Sequence, residues 1–221
     1  MSIPETIRPV AAALRQATKA AHHALDHHPV LAPLVKNSLT LQDYARALAG
    51  LHAPQARLES LLVPWLASGS GSESGGGTSP SLPASHEFPP RLGALDADLE
   101  HLKKAPYPEM AVFPFPPWTG TDPSGAAAAG LIGVMYVLEG ATQGALVIAR
   151  EIAAHLPAAP RQFFADGNGA LRWPAFWQRV DRQLPGDPVL RAEETNLACQ
   201  AALATFDYYC AHLSGCLSST D

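Results

Sequence analysis

GAAAAGLIGVMYVLEGATQGALVIAREIAAHL, residues 125–156, decides the fold. It is apolar at helical spacing, it holds no period-two alternation, and it predicts one long helix over 125–156. Its uncharged run from Gly125 to Leu138 is 14 residues. At 1.5 Å per residue that is about 21 Å, short of a ~30 Å hydrocarbon core, and Glu139 ends it. A core helix of a soluble protein is the expectation.

The rest of the chain reads the same way. Leu14, Ala17, Ala21 and Leu25 trace one stripe and predict a first helix over about 5–28. Thr40 and Asp43 make a capping box. Leu41, Tyr44, Leu48, Leu51, Leu58, Leu62 and Trp65 then continue a long second helix, which Pro54 should kink by removing a backbone donor. Pro89 and Pro90 open a third helix striped by Leu92, Leu95, Leu99 and Leu102. A fifth is expected over 174–184 and a sixth over 188–213. Two irregular stretches interrupt the series. Residues 68–87 are nearly all Gly, Ser and Pro and read as a flexible insertion without chemistry of its own. Residues 106–123 hold six prolines together with Phe113, Phe115 and Trp118. The expectation is a single all-α domain over residues 1–221, a helical bundle without internal repeats.

Composition limits function. The chain has 221 residues, 47% hydrophobic, with 15 Lys plus Arg against 20 Asp plus Glu, a formal charge of −5. There is no basic excess to grip a nucleic acid. Three cysteines, Cys199, Cys210 and Cys216, form no CxxC and suit a reducing compartment. Glu5, Arg8 and Arg15 break any signal-peptide core. A cytoplasmic protein bound to neither nucleic acid nor membrane is expected.

Two clusters carry chemistry. His22, His23, His27 and His28 crowd the end of the first helix. Any one of them taken alone reads first as a solvated or core histidine. His23 and His27 stand at i, i+4, a chelating spacing, but no HExxH or carboxylate partner supports zinc there. Arg15 precedes His22 by two turns, so both project from one face with Cα atoms ~10.5 Å apart. That pair suits a porphyrin, with imidazole for the iron and a cation for propionates at the ring edge; an ordinary surface Arg fits the spacing equally. In the fourth helix Gly140 and Gly144 share one face, each costing ~1 kcal/mol against Ala. Their bare backbone serves either close helix packing or a flat ligand, and periodicity alone leans to packing.

LRQATKAAHHALD, residues 14–26, resembles the proximal-helix signature of heme oxygenases, LRxATxxxHxxLD in the bacterial branch. YVLEGATQG, residues 136–144, is similar to the distal-helix stretch of bacterial heme oxygenases linked to bacteriophytochromes, often YVLEGSTLGG. Weaker echoes lie at Tyr44, Ala53-Pro54, Phe163-Phe164 and Ala204 to Phe206. The resemblance implies a heme-oxygenase-like bundle that cleaves heme to biliverdin, carbon monoxide and iron, using O2 and a donor such as a ferredoxin or a reductase. A bacteriophytochrome that takes up biliverdin is the implied partner. It assigns His22 as the iron ligand, Arg15 to a propionate, Tyr136 and Gln143 to the heme pocket, and Gly140 and Gly144 to the bend of the distal helix over the reacting edge. Three positions depart from the pattern: Ala141 where Asp or Ser is usual, Gln143 where Leu is frequent, and Ala145 where Gly is frequent. They keep open a second reading, a heme-binding or heme-sensing protein without turnover. A thiaminase-like enzyme or a di-iron centre of the same fold is a third, weakened by the lack of a Glu-x-x-His pair.

Overall fold

The computed structural model describes residues 9–68, 89–114, 125–165, 169–184 and 187–218. Among them lie six α-helices: α1 Pro9–Asp26, α2 Leu41–Ser68, α3 Leu92–His101, α4 Gly125–His155, α5 Gly169–Gln183 and α6 Pro188–Ser218. A short 3-10 turn, Ala32–Val35, follows α1, and no strand occurs among the described residues. The protein is all-α, as its periodicity predicts.

Local chemistry sets the boundaries. Thr40 Oγ1 donates to Asp43 Oδ2 at 2.5 Å, and the Asp43 N–H donates back to Thr40 Oγ1 at 3.1 Å, so α2 opens on its capping box. It runs on through Pro54. A proline there deprives the Gly50 carbonyl of its helical partner. The buried His212 of α6 supplies a replacement hydrogen bond to Gly50. Lys103, at φ 52°, ends α3 in the left-handed region while the Lys104 N–H reaches back to the Leu99 carbonyl at 3.0 Å.

Two boundaries differ from expectation. Helix α5 starts at Gly169, before Pro174, which the helix holds in its interior. Proline's fixed φ is already helical, and so near the N-terminus it removes a single hydrogen bond. Helix α6 continues past Leu213 to Ser218, and Gly215 within this extension lets Met110 of the 106–114 segment lie against it. A Cβ there would sit 2.7 Å from Met110 Cβ. Residues 5–8 of the expected first helix, most of the 68–87 insertion, Phe115 and Trp118 lie outside the described residues. Phe113 is buried, its ring edge-on to Tyr208 at 5.2 Å.

Two apolar clusters fill the bundle. The first joins Val10 and Leu14 to Leu58 and Leu62, to α4 between 131 and 138, and to Phe176, Trp177 and α6 between 198 and 209. The second joins Val30, Leu34 and α2 between 44 and 49 to Leu95, Ala145, Ile152, Phe163 and Leu213. Helices α1, α4 and α6 therefore all run from the first cluster toward the second, and α2 runs against them. By length and composition Ala127–His155 is apolar enough to cross a membrane, yet 56% of its most apolar window is buried in the bundle. Cys199, Cys210 and Cys216 are free thiols.

A buried polar network braces the second cluster. Glu59 accepts from the backbone N–H groups of Arg91 and Leu92 and from Gln55 Nε2. Asp98, fully buried, accepts from the N–H groups of Gln162 and Phe163 at 3.0 and 2.9 Å. The Arg91 guanidinium donates to the Phe163 carbonyl and lies 4.3 Å over the Phe163 ring. These carboxylates cap the start of α3 and the turn at 162–163, whose donors would otherwise be buried bare.

Candidate functional site

Helix α1 buries Val10, Ala11, Leu14 and Thr18, which leaves Arg15 and His22 on its exposed side. His22 Nδ1 lies 2.9 Å from Asp26 Oδ2, one turn on, with both side chains more than half exposed. A carboxylate only accepts, so Nδ1 carries the hydrogen and the Nε2 lone pair is left available. A histidine held at one nitrogen by a carboxylate and open at the other is the arrangement that metal-ligating imidazoles show. The His22 ring also leans on Phe206 of α6, centroids 5.7 Å apart, which fixes its plane from behind.

One contact sets the register between the two resembling helices. Thr18 Oγ1 and the Tyr136 hydroxyl lie 3.5 Å apart. Since α1 and α4 run in the same sense, one turn beyond that contact brings His22 and Gly140 to the same level of the bundle. Two turns beyond it bring Asp26 and Gly144. Tyr136 is half-buried, between the rings of Trp173 at 5.8 Å and Trp177 at 6.0 Å.

The glycines of α4 divide into two kinds. A Cβ on Gly133 would stand 2.2 Å from the Ala198 carbonyl oxygen and 2.8 Å from Ala201 Cβ. This is the close crossing of α4 on α6. On Gly140 a Cβ would meet the rim of Trp173 at 3.6 Å, in ordinary contact, and on Gly144 it would meet nothing within 4 Å among the described residues. The packing explanation that spacing favours for Gly140 and Gly144 belongs instead to Gly133. Ala141, Gln143 and Gly144 are all exposed. Gln143 Nε2 donates to Thr142 Oγ1 at 3.4 Å, and Thr142 Oγ1 donates to the Glu139 carbonyl at 2.6 Å. The Glu139 carboxylate is buried and pairs with Arg172 of α5 at 3.2 Å.

The four clustered histidines separate into different roles. His28 is buried: its Nδ1 accepts from the Val30 N–H at 3.3 Å and its Nε2 lies 3.1 Å from Ser214 Oγ. Desolvation holds its pKa below the ordinary imidazole value. His23 and His27 are exposed and face each other. Among the described residues no three of His, Cys, Asp or Glu come together to hold a metal ion.

Sequence reasoning missed Asp26 as a partner, Trp173 as the side chain over Gly140, and Gly133 as the packing glycine. The i, i+4 spacing from His22 was a usable signal for Asp26. Trp173 stood just outside the expected fifth helix, and nothing in the sequence joined it to Gly140. No family model matches the chain, and no curated protein matches it.

Proposed function

We propose that the protein is a heme-oxygenase-like bundle that binds heme between α1 and α4 and cleaves it to biliverdin. The observation that carries the reading is a strip of glycine backbone in α4, with Gly140 touched only by the rim of Trp173 and Gly144 by nothing among the described residues, set level with His22 and its Asp26 support. A flat ligand there would lie against glycine backbone on one side and meet an imidazole Nε2 on the other.

The residues present suit heme. His22 would hold the iron through Nε2, with Asp26 fixing tautomer and ring orientation. Arg15, two turns away on the same exposed side, would take a propionate through charge-assisted hydrogen bonds. Tyr136 would close the inner wall with Trp173, keeping water from the buried edge, and Gln143 would lie at the outer rim. When bound, heme supplies both the iron that activates O2 and the porphyrin that is oxidised, with electrons from an external donor such as a ferredoxin or a reductase. Gly140 and Gly144 leave the volume that a small second molecule needs, and neighbouring side chains limit which porphyrin edge it reaches.

A second reading, heme carriage without turnover, rests on a specific feature. The carboxylate nearest the glycines in α4, Glu139, is buried against Arg172, and Ala141 and Gln143 bring no acid. Proton delivery would then depend on water at Gln143 and on backbone groups. The test is an absorption spectrum of the protein with hemin, followed after a reductant is added in air. An imidazole-ligated heme band that gives way to biliverdin supports the enzyme; a band that persists unchanged leaves the carrier. His22→Ala should lose that band and His23→Ala should keep it, and the reverse result would move the ligand by one residue. No heme band at all in the wild type would end both readings.

A further inference from the structure

Around the helix from His22 and Asp26, α1 ends in a second pair. The rings of His23 and His27 are exposed and their centroids lie 4.0 Å apart, tilted by 40°. One residue along a helix turns the side chain by about 100°, so this pair faces away from the His22 side. Residues four apart on a helix stack one above the other, which is the geometry that lets two imidazoles reach one ion.

The backbone has also chosen the tautomer. His27 Nδ1 lies 2.9 Å from the His23 carbonyl oxygen. A carbonyl only accepts, so Nδ1 of His27 carries the hydrogen and Nε2 keeps its lone pair toward solvent. An imidazole anchored through one nitrogen to a backbone carbonyl and open at the other is prepared as a metal ligand before any metal arrives.

From these two observations we propose that His23 and His27 form a two-histidine chelate for a borderline divalent transition-metal ion, separate from the His22 position. The chemistry selects the ion. Neutral imidazoles suit Cu2+, Ni2+ and Zn2+, whereas Mg2+ and Ca2+ demand oxygen. With two protein ligands, water fills the remaining positions. The site is therefore open and exchangeable, and affinity follows Cu2+ above Ni2+ and Zn2+. Binding joins the last two turns of α1 and raises thermal stability with metal concentration.

The test is calorimetric titration of the untagged full chain, without hemin, with Cu2+, Ni2+, Zn2+ and Mg2+ in turn. Wild type takes up the first three at one site and ignores Mg2+. His23→Ala and His27→Ala each weaken uptake by about tenfold or more. His22→Ala and Asp26→Asn leave it unchanged. All four residues are exposed, and circular dichroism checks that each variant keeps its helices. Uptake that survives both His23→Ala and His27→Ala overturns the proposal, as does a wild type that binds none of the three ions. Loss with His22→Ala instead moves the ion to the His22–Asp26 pair and equally overturns it. Hemin spectra are read separately, so failure here leaves the heme reading standing, and failure of that reading leaves this one.

Discussion

Helix α4 contains two glycine stretches that obey opposite rules. At Gly133 the missing side chain lets the backbones of α4 and α6 touch, with Ala198 and Ala201 filling the space. At Gly144 the missing side chain would meet none of the described residues, although a glycine inside a helix costs ~1 kcal/mol at either place. The first cost is returned by packing within the protein. The second has no return among the described residues, which is why the strip from Gly140 to Gly144, and not the crossing at Gly133, is the place to look for a ligand. The comparison breaks first at Gly133. Gly133→Ala should be the most damaging small substitution in the helix, since the three colliding atoms, the Ala198 oxygen, the Ala201 Cβ and the Ala202 nitrogen, belong to a neighbouring backbone or its Cβ and cannot swing aside. A loss of about 3 kcal/mol follows from overpacking, or a Tm lower by roughly 6–12 °C in a chain of this size. A Gly133→Ala protein that melts like wild type would dissolve the distinction.

The next largest effect belongs to the bare strip. Gly144→Leu introduces a side chain that meets none of the described residues at its Cβ and removes the helix penalty of glycine, so Tm should not fall and should rise by up to roughly 2–4 °C. If the protein cleaves heme as proposed, conversion to biliverdin should nevertheless fall tenfold or more, because the new side chain would fill the volume that reading assigns to O2. Gly140→Leu is the less clean variant, since Trp173 already stands 3.6 Å from the Cβ position. Stability and turnover falling together in Gly144→Leu would mean that the protein itself packs on Gly144 and that the position is not kept for a ligand.

The pH dependence of stability is expected at the second cluster. His28 and His212 are both buried, and in each Nδ1 accepts a backbone N–H, from Val30 and from Met110. Protonating either ring at Nδ1 breaks that bond. Desolvation lowers both pKa values; at His212 the charge of Glu109 and the bond to Gly50 oppose it. The sign follows. Above about pH 6.5 both rings are neutral whether folded or unfolded. Below it the unfolded chain takes up protons first, and stability falls by up to ~1.4 kcal/mol per pH unit for each histidine until its folded pKa is reached. Tm measured at pH 7.5 and pH 5.5 should therefore drop, and the drop should shrink in His28→Gln. An equal drop in the variant would acquit His28.

How much of this could be read from the residues alone differs between the same two regions. The all-helical architecture, the capping box at Thr40 and the bounds of α4 follow from periodicity and local hydrogen bonding, both of which a sequence displays. The shared face of Arg15 and His22 on α1 follows from the same periodicity, and their exposure is what the structure adds. What the sequence hid was long-range. Gly133, Gly140 and Gly144 look alike in a string, and only the position of α6 tells a packing glycine from a bare one. The Gly50 carbonyl freed by Pro54 is met by His212, far along the chain, a partner that the proline alone does not announce. Trp173 lay one residue before the expected start of α5, because Pro174 read as a boundary when it sits inside the helix.

The smallest predicted effect is the most discriminating, because its sign carries the argument. Gly144→Ala adds one methyl group in open space and removes the entropic penalty of glycine in a helix. If Gly144 is bare, the free protein should gain up to ~1 kcal/mol, a Tm rise of roughly 2–4 °C. Gly133→Ala moves the same property in the opposite direction, so the two variants form an internal control on one helix. With hemin added, the Gly144→Ala gain should shrink, since the methyl now meets a ligand where the free protein has none. A gain that is identical with and without hemin would place the ligand elsewhere, and a loss in the free protein would show that the strip is already in contact. A glycine that weakens the free protein and strengthens only the complex is one that serves the ligand.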